Sequence, residues 1–381
     1  MVPLLAILVG LEIGISFFGP LLPQVQREFN LSAGRVALAL AVYNGIRLLF
    51  NVPLSRFIAR AALPSMLAAG GAILAAGGMV VGLAPSFTAV LAGRAIMGVG
   101  SALFILTIQF WLARLATPEN KARLFSYHQV AGITGSAIGP ALGGAVAGWL
   151  SWRYSLGLAV VAGLGALATG RRLPYPAAGN VGDAPQAVPA GAAPRLAYRE
   201  VFGPGVSMMA LMFFHAGVVL TLVPLFAARE VHLGPAAIGG ILMLGTLQRF
   251  GAALVGGRLA TRFGTRTVVV IGLAVLAVSV LSFLPVASPA GLILAVSLVS
   301  WANVGGSFVI ALITDRTPEA QWGTALGMNR TMGDMGAMTA PILVGLMIDQ
   351  FGFDTAFAVT AGVLLAAAGV AAALTAAKRR A

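Results

Sequence analysis

Ionisable side chains lie inside several stretches of the sequence that are otherwise apolar. These side chains could exchange protons or bind charged groups there. The acids are Glu12 and Asp334, and the bases are Arg47, Arg94, His128, His215, Arg249 and Arg330. A charged group at bilayer depth is costly, so by default it marks a proton or substrate pathway. Carboxyl groups can exchange protons, whereas guanidinium groups bind anionic groups.

Arg330 and Asp334 are four residues apart in NRTMGDMGAMTAP (residues 329–341), so they share a helix face and can partly neutralise each other. A rise of about 1.5 Å per residue places Asp334 about 18 Å inside its membrane span. Similar estimates place Glu12, His215 and Arg249 near the same depth, where Arg249 is a second possible partner for Asp334. The sequence therefore predicts a shared mid-membrane site.

Each of these residues also has a structural interpretation. Glu12 can be a buried acid bonded to a neighbour, and Asp334 can belong to a structural ion pair. Arg47 and Arg249 can bind backbone carbonyls, His215 can be a core histidine, and Arg94 can snorkel to the outer face. We assign proton coupling to Glu12, Arg94 and Asp334. The predicted substrate-binding residues are Arg47, Gln129, His215, Arg249, Asn303 and Arg330.

The composition places these residues in an integral membrane protein, because 59% of the 381 residues are hydrophobic and only 9% are charged. A bilayer core needs about 20 apolar residues in a helix. Twelve such runs are predicted, near 2–24, 35–56, 64–84, 87–112, 123–149, 152–170, 203–227, 236–257, 267–286, 289–313, 322–348 and 354–377. The fold class is therefore all-α.

Lysine and arginine are concentrated in the even-numbered loops and after the last span. The opposite face holds only Arg27, Arg35, Arg153 and Arg229. The positive-inside rule then predicts a multi-pass protein with both termini in the cytoplasm. We expect this membrane to be the bacterial inner membrane. Basic loops also explain the net charge of +13, so nucleic acid is not an expected partner.

The two halves of the chain resemble each other. REFNL (27–31) returns as REVHL (229–233), TPE recurs at 117–119 and 317–319, and Arg47 corresponds to Arg249. These matches predict two parallel six-helix bundles, residues 1–170 and 201–381, joined by a cytoplasmic linker at 171–200. Spans 3, 6, 9 and 12 hold no ionisable residue in their interiors. We therefore expect them on the outside, around a central cavity.

Several functional classes lack support in the sequence. Cysteine is absent, and the three histidines show no ligand spacing, so we expect neither a metal site nor a cofactor. No phosphate-binding loop and no convincing pair of nucleophile and base occurs, so we do not expect an enzyme.

The loops after spans 2 and 8 are similar to a motif of the form G-x-x-x-D-R-x-G-R-R. The first copy is NVPLSRFIAR, with Arg56 and Arg60, and the second is GRLATRFGTR, with Gly257, Arg262 and Arg266. Through these motifs the whole chain resembles the major facilitator superfamily. The resemblance implies a gating role for these residues, although Ser55 and Thr261 replace the acid of the motif.

Spans 4 and 5 resemble the proton-coupled drug antiporters of that superfamily. Span 4 contains RAIMGVGSA with Arg94, and span 5 contains GSAIGPALGG with Gly139 and Pro140, which we assign to gating. The resemblance implies a monomer that exports a drug or metabolite in exchange for protons by alternating access. Uptake or facilitated diffusion of a small anionic metabolite stays open, because the predicted spans bury more arginines than acids. The expected partners are a small-molecule substrate, the proton and the lipid bilayer.

Overall fold

The structure is a computed structural model that describes residues 2–58, 62–115, 120–170, 198–318 and 321–376. Within these ranges the chain forms helices and turns, and no strand occurs. In the first half the α-helices are Val2–Ser16 (α1), Leu22–Glu28 (α2), Ala33–Ile58 (α3), Leu63–Gly82 (α4), Phe87–Leu115 (α5), Lys121–Trp149 (α6), Trp152–Ser155 (α7) and Gly157–Gly170 (α8). In the second half they are Tyr198–Phe213 (α9), Val223–Arg229 (α10), Pro235–Phe263 (α11), Thr265–Val280 (α12), Pro289–Ala302 (α13), Val309–Thr314 (α14) and Trp322–Leu374 (α15).

The described helices contain 11 stretches that are long and apolar enough to cross a membrane. The last of them lies in α15, which is interrupted at Gly352, where φ is 82° and ψ is 177°. This backbone conformation is essentially restricted to glycine and cannot continue an α-helix. Residues 322–351 and 353–374 are therefore two spans, which confirms the predicted total of twelve.

Several of the described spans are not continuous α-helices. Gly19–Leu21 joins α1 to α2 and Asn303–Phe308 joins α13 to α14 as 3₁₀ turns, whereas Phe214–Leu222 is a π-helix between α9 and α10. Within the π-helix the hydroxyl of Thr221 donates to the carbonyl of Ala216 over 2.7 Å. Such internal bonds are required because lipid offers no partner for backbone polar groups. Irregular turns of this kind frequently accompany functional sites.

The Cα positions divide into two compact units. The first comprises Met1–Ala184 with Ala227–Leu244, and the second comprises Pro185–Phe226 with Gly245–Ala381. The predicted domain bounds, 1–170 and 201–381, remain a prediction. Most of the predicted linker, residues 171–197, lies outside the described residues, and Tyr198 already begins α9.

Facing glycines hold the first unit together. Helix α4 packs between α5 and α8, and α1 packs on α6 and α8. A Cβ atom added at Gly71 would lie 2.5 Å from the carbonyl oxygen of Gly163, and one added at Gly77 would lie 2.9 Å from that of Gly93. Helices approach this closely in membranes only where side chains are small.

In the second unit the two parts of α15 have different neighbours. The carbonyl oxygen of Met209 on α9 would collide with a Cβ atom added at Gly336, so the backbones nearly touch there. Beyond Gly352, Phe357 stacks on Phe283 with ring centroids 4.7 Å apart and meets Phe226 edge-on at 5.4 Å. Glycine contacts and aromatic contacts thus fix the two parts separately.

The helices without interior charges expose large apolar side chains. Val161 on α8 is 70% exposed and Val278 on α12 is 62% exposed, and Met79 on α4 and Leu365 on α15 are also exposed. Apolar surface of this kind suits contact with acyl chains. These helices are spans 3, 6, 9 and 12, which the sequence predicts at the lipid-facing positions.

Candidate functional site

Arg94 on α5 is enclosed by protein and is only 1% exposed. Its Nε donates to the carbonyl of Ala39 over 3.0 Å, and its guanidinium carbon lies 4.3 Å from the ring centroids of both Phe18 and Tyr43. A carbonyl and two aromatic faces compensate the charge. The interpretation that Arg94 snorkels is wrong, because the side chain ends among rings inside the unit.

Tyr43 joins Arg94 to two further polar side chains. Its hydroxyl donates to Ser101 Oγ over 2.7 Å, and the guanidinium carbon of Arg47 lies 5.8 Å from its ring centroid. Arg47 is half-buried. Sequence reasoning missed Tyr43, although its position four residues before Arg47 on one helix was a usable signal.

Glu12 is half-buried on α1, against the glycine-rich segment of α6. A Cβ atom added at Gly135 would lie 2.5 Å from Cβ of Glu12, and one added at Gly143 would lie 2.6 Å from Cβ of Phe17. The hydroxyl of Ser16 donates to the carbonyl of Glu12 over 2.7 Å. The helix that carries the predicted coupling acid is therefore seated directly on α6.

Gly139 and Pro140 lie at two close helix contacts in the first unit. A Cβ atom added at Gly139 would meet the hydroxyl of Ser16 and, at 2.9 Å, the carbonyl oxygen of Ile13. The carbonyl oxygen of Pro140 would in turn meet a Cβ atom added at Gly239 on α11. Small residues thus let α6 contact α1 and the beginning of α11, and the gating role of both residues remains a prediction.

In the second unit His215 and Arg249 contact each other. His215 lies in the π-helix, and its Nδ1 is 3.3 Å from Nη1 of Arg249 on α11. A guanidinium has no acceptor, so Arg249 donates and Nδ1 of His215 supplies the lone pair. The imidazole is therefore neutral, with its proton on Nε2.

Arg330 and Asp334 form the expected ion pair on α15, with Nε and Oδ2 3.4 Å apart. The Asp334 side chain is 11% exposed and that of Arg330 is 51% exposed. The possibility that Arg249 pairs with Asp334 is wrong, because none of the described carboxylates lies within 4 Å of Arg249. Next to this pair, Asn329 is buried and its Oδ1 has no hydrogen-bond partner in the described chain.

Asn303 ends α13 where the 3₁₀ turn begins. It is buried, and its Oδ1 likewise finds no hydrogen bond among the described residues. Gln129 on α6 is exposed. Their role in substrate binding remains a prediction, because the structure brings neither of them into a hydrogen bond with the other predicted residues.

The predicted gating residues after span 8 lie in different surroundings. Arg266 donates to the hydroxyl of Thr375 over 3.1 Å and to the carbonyl of Ala372 over 2.9 Å, at the end of α15. Arg316 donates to the carbonyl of Thr375 over 3.1 Å, a contact that sequence reasoning missed. Two cations thus bind the carbonyls at the negative end of the α15 dipole.

Gly257 and Arg262 make weaker contacts. A Cβ atom added at Gly257 would meet nothing within 4 Å, so close packing does not explain this glycine. The guanidinium carbon of Arg262 lies 5.2 Å from the ring centroid of its neighbour Phe263. Of the first motif copy, the Arg56 side chain and the whole of Arg60 lie outside the described residues.

Comparison with known families identifies the superfamily to which the chain belongs. The model of the Major Facilitator Superfamily matches residues 4–247 and, in a second match, residues 206–381. The chain belongs to the major facilitator superfamily. It is therefore a member of a family of transporters that lie in the lipid bilayer and bind small-molecule substrates. The two matches together cover nearly the whole chain and overlap at residues 206–247.

Relatives in this superfamily are similar over short segments. A 55-residue segment is 46% identical to the multidrug resistance protein MdtG of Serratia proteamaculans and covers 14% of this chain. A 144-residue segment is 30% identical to the multidrug transporter mfsC of Aspergillus fumigatus and covers 37% of this chain. The chain spans only 13% and 27% of the lengths of these two relatives.

Solved structures of superfamily members share the fold across the chain. A bacterial homologue of the human lysosomal transporter Spinster superposes with a TM-score of 0.80 at 14% identity, covering 98% of this chain and 96% of its own. A mutant of the peptide transporter POT gives 0.81 at 14% identity, covering 98% and 93%. At this identity the likeness establishes the fold alone.

Proposed function

We propose that the protein is a secondary active transporter that exports a small drug or metabolite in exchange for protons by alternating access. It would work as a monomer in the bacterial inner membrane, around a mid-membrane cavity. The observation that carries the proposal is the position of Glu12, a half-buried carboxyl group on α1 beside Gly135 of the antiporter-like segment. Two relatives, MdtG and mfsC, are named as multidrug proteins, which supports the same substrate class.

Protonation of Glu12 would change the charge of α1 at the point where this helix touches α6. An ionised carboxyl needs water or polar partners at that depth, whereas a protonated one tolerates an apolar environment. Since Gly135, Gly139 and Gly143 leave no space between the helices, a displacement of α1 would move α6 with it. The proton would thus bias the equilibrium between two states of the transporter.

Uptake or facilitated diffusion of a small anion is the second candidate. It is favoured by Arg249, which has no described carboxylate within 4 Å and donates its hydrogen bond to the neutral ring of His215. An anionic substrate would supply the missing counter-charge. The two candidates differ in whether a pH gradient drives transport.

The deciding experiment is a counterflow screen in proteoliposomes, with labelled acids, neutral compounds and cations tested at two pH gradients. For a compound that is transported, Glu12→Gln is expected to abolish the response to the gradient while exchange at equal pH continues. Glu230→Gln, which removes an exposed acid, is the matched control and should behave as the wild type. Gradient-driven transport at the normal rate in Glu12→Gln would exclude Glu12 from the coupling mechanism.

A further inference from the structure

We propose that Arg249 and His215 together bind the carboxylate of an organic monocarboxylate, and that this group is part of the transported molecule. The inference adds a substrate class to the proposed function. Binding of the carboxylate does not depend on that function, whereas its transport does. It concerns a site inside the second unit, built from α11 and the π-helix.

The hydrogen bond between the two residues determines which of their N–H groups remain available to a ligand. Arg249 uses Nη1 to bind Nδ1 of His215, which fixes the histidine proton on Nε2. The imidazole N–H and the other guanidinium N–H groups then remain as donors on neighbouring side chains. Neither residue has another described hydrogen bond. The pair therefore offers donors of the kind a carboxylate accepts, and no acceptor.

The charge of Arg249 is the second observation. No described carboxylate lies within 4 Å of it, although it is half-buried in the middle of a span. Two of the other arginines placed inside spans are compensated differently: Arg94 by the rings of Phe18 and Tyr43, and Arg330 by Asp334. An uncompensated cation at this depth is unfavourable, and a bound anion would relieve the cost.

The number of charges limits the class of ligand. Arg249 contributes one positive charge and His215 none, because protonation of Nδ1 would break their bond and place two cations 3.3 Å apart. A single carboxylate balances this site, whereas a phosphate dianion would leave a negative excess. The planar guanidinium also matches the two oxygens of a carboxylate.

Thermal unfolding of the purified protein in detergent tests the proposal without a gradient. The probes are acetate, benzoate and decanoate, each compared with its primary amide. We expect at least one acid to raise Tm with increasing concentration while its amide does not. Arg249→Gln should weaken the apparent affinity for that acid about tenfold to a hundredfold. Arg249→Lys, which keeps the charge without the planar pair of donors, should have a smaller effect.

Arg258→Gln is the matched control, since Arg258 is exposed on the same helix, and the acid should bind it as it binds the wild type. Without any ligand, Arg249→Gln should melt no lower than the wild type, because an uncompensated charge has been removed. Three results would each overturn the proposal: no acid stabilises more than its amide, stabilisation survives in Arg249→Gln, or ligand-free Arg249→Gln melts lower. Because Tm measurements involve no transport, normal gradient-driven transport in Glu12→Gln would refute the proposed coupling without affecting this test of carboxylate binding.

Discussion

Two arginines of this protein, Arg94 and Arg249, illustrate how surroundings decide what a buried charge does. Arg94 has a carbonyl and two aromatic rings around it, and its exposed fraction is 1%. Arg249 is bonded to a neutral imidazole and has no described counter-ion within 4 Å. The first arrangement is complete without a ligand, whereas we propose that an anionic ligand completes the second. Arg94 is therefore expected to act mainly through the stability of the fold.

Replacement of Arg94 by glutamine is expected to lower the free energy of unfolding by about 1–3 kcal/mol, because the carbonyl of Ala39 and both ring faces lose their cationic partner. Thermal denaturation in detergent measures this change, with Arg258→Gln as the exposed control. If Tm is unchanged while the response to a pH gradient is lost, Arg94 belongs to proton coupling and not to the core.

Only part of this residue-scale picture can be predicted from sequence. The pair of Arg330 and Asp334 follows from their spacing on one helix. The partners of Arg94 come from two other spans, and His215 and Arg249 are 34 residues apart. Contacts of that kind depend on how helices are rotated about their axes, and a uniformly apolar sequence gives little information on rotation.

At the scale of elements, the contact between α1 and α6 depends on glycine at particular positions. A Cβ atom added at Gly139 would meet Ser16 and the backbone of Ile13, whereas one added at Gly132 on the same helix meets nothing within 4 Å. Gly139→Ala should therefore destabilise the protein by about 1–3 kcal/mol through overpacking. Gly132→Ala should be neutral or stabilising by up to about 1 kcal/mol, because alanine favours a helix.

Thermal denaturation measures both variants, and transport in proteoliposomes shows whether the displaced α1 still functions. Equal stability of Gly139→Ala and Gly132→Ala would mean that the close contact between α1 and α6 does not exist in the membrane. A selective loss of transport in Gly139→Ala, with stability kept, would favour the gating role over the packing role.

The irregular turns in spans 7 and 10 are not visible in the sequence. Runs of apolar residues predict that a span exists, but FHAGVVLTL and NVGGSF fit an α-helix as well as they fit the observed π and 3₁₀ turns. Which backbone bonds form there depends on neighbouring helices. The break at Gly352 was easier to anticipate, since the two apolar runs on either side together exceed one bilayer thickness.

At the scale of the whole molecule, the number of spans and the repeat follow from sequence because both are long-range regularities. Twelve apolar runs and two matches to one family model agree with each other. An even number of crossings would place both termini on one side, and the excess of lysine and arginine in the even-numbered loops predicts that this side is the cytoplasm. The orientation of the protein in the membrane is thus predicted from the distribution of lysine and arginine, and labelling of exposed positions can test it directly.

The absence of cysteine makes single-cysteine labelling free of background. Ala287 is exposed in the turn before α13, on the predicted outer face, and Asp315 is exposed after α14, on the predicted cytoplasmic face. In intact cells a membrane-impermeant maleimide should label Ala287→Cys at once. It should label Asp315→Cys only after the cells are permeabilised. The opposite result would reverse the orientation, and with it the direction in which a proton at Glu12 would have to move for the protein to export its substrate.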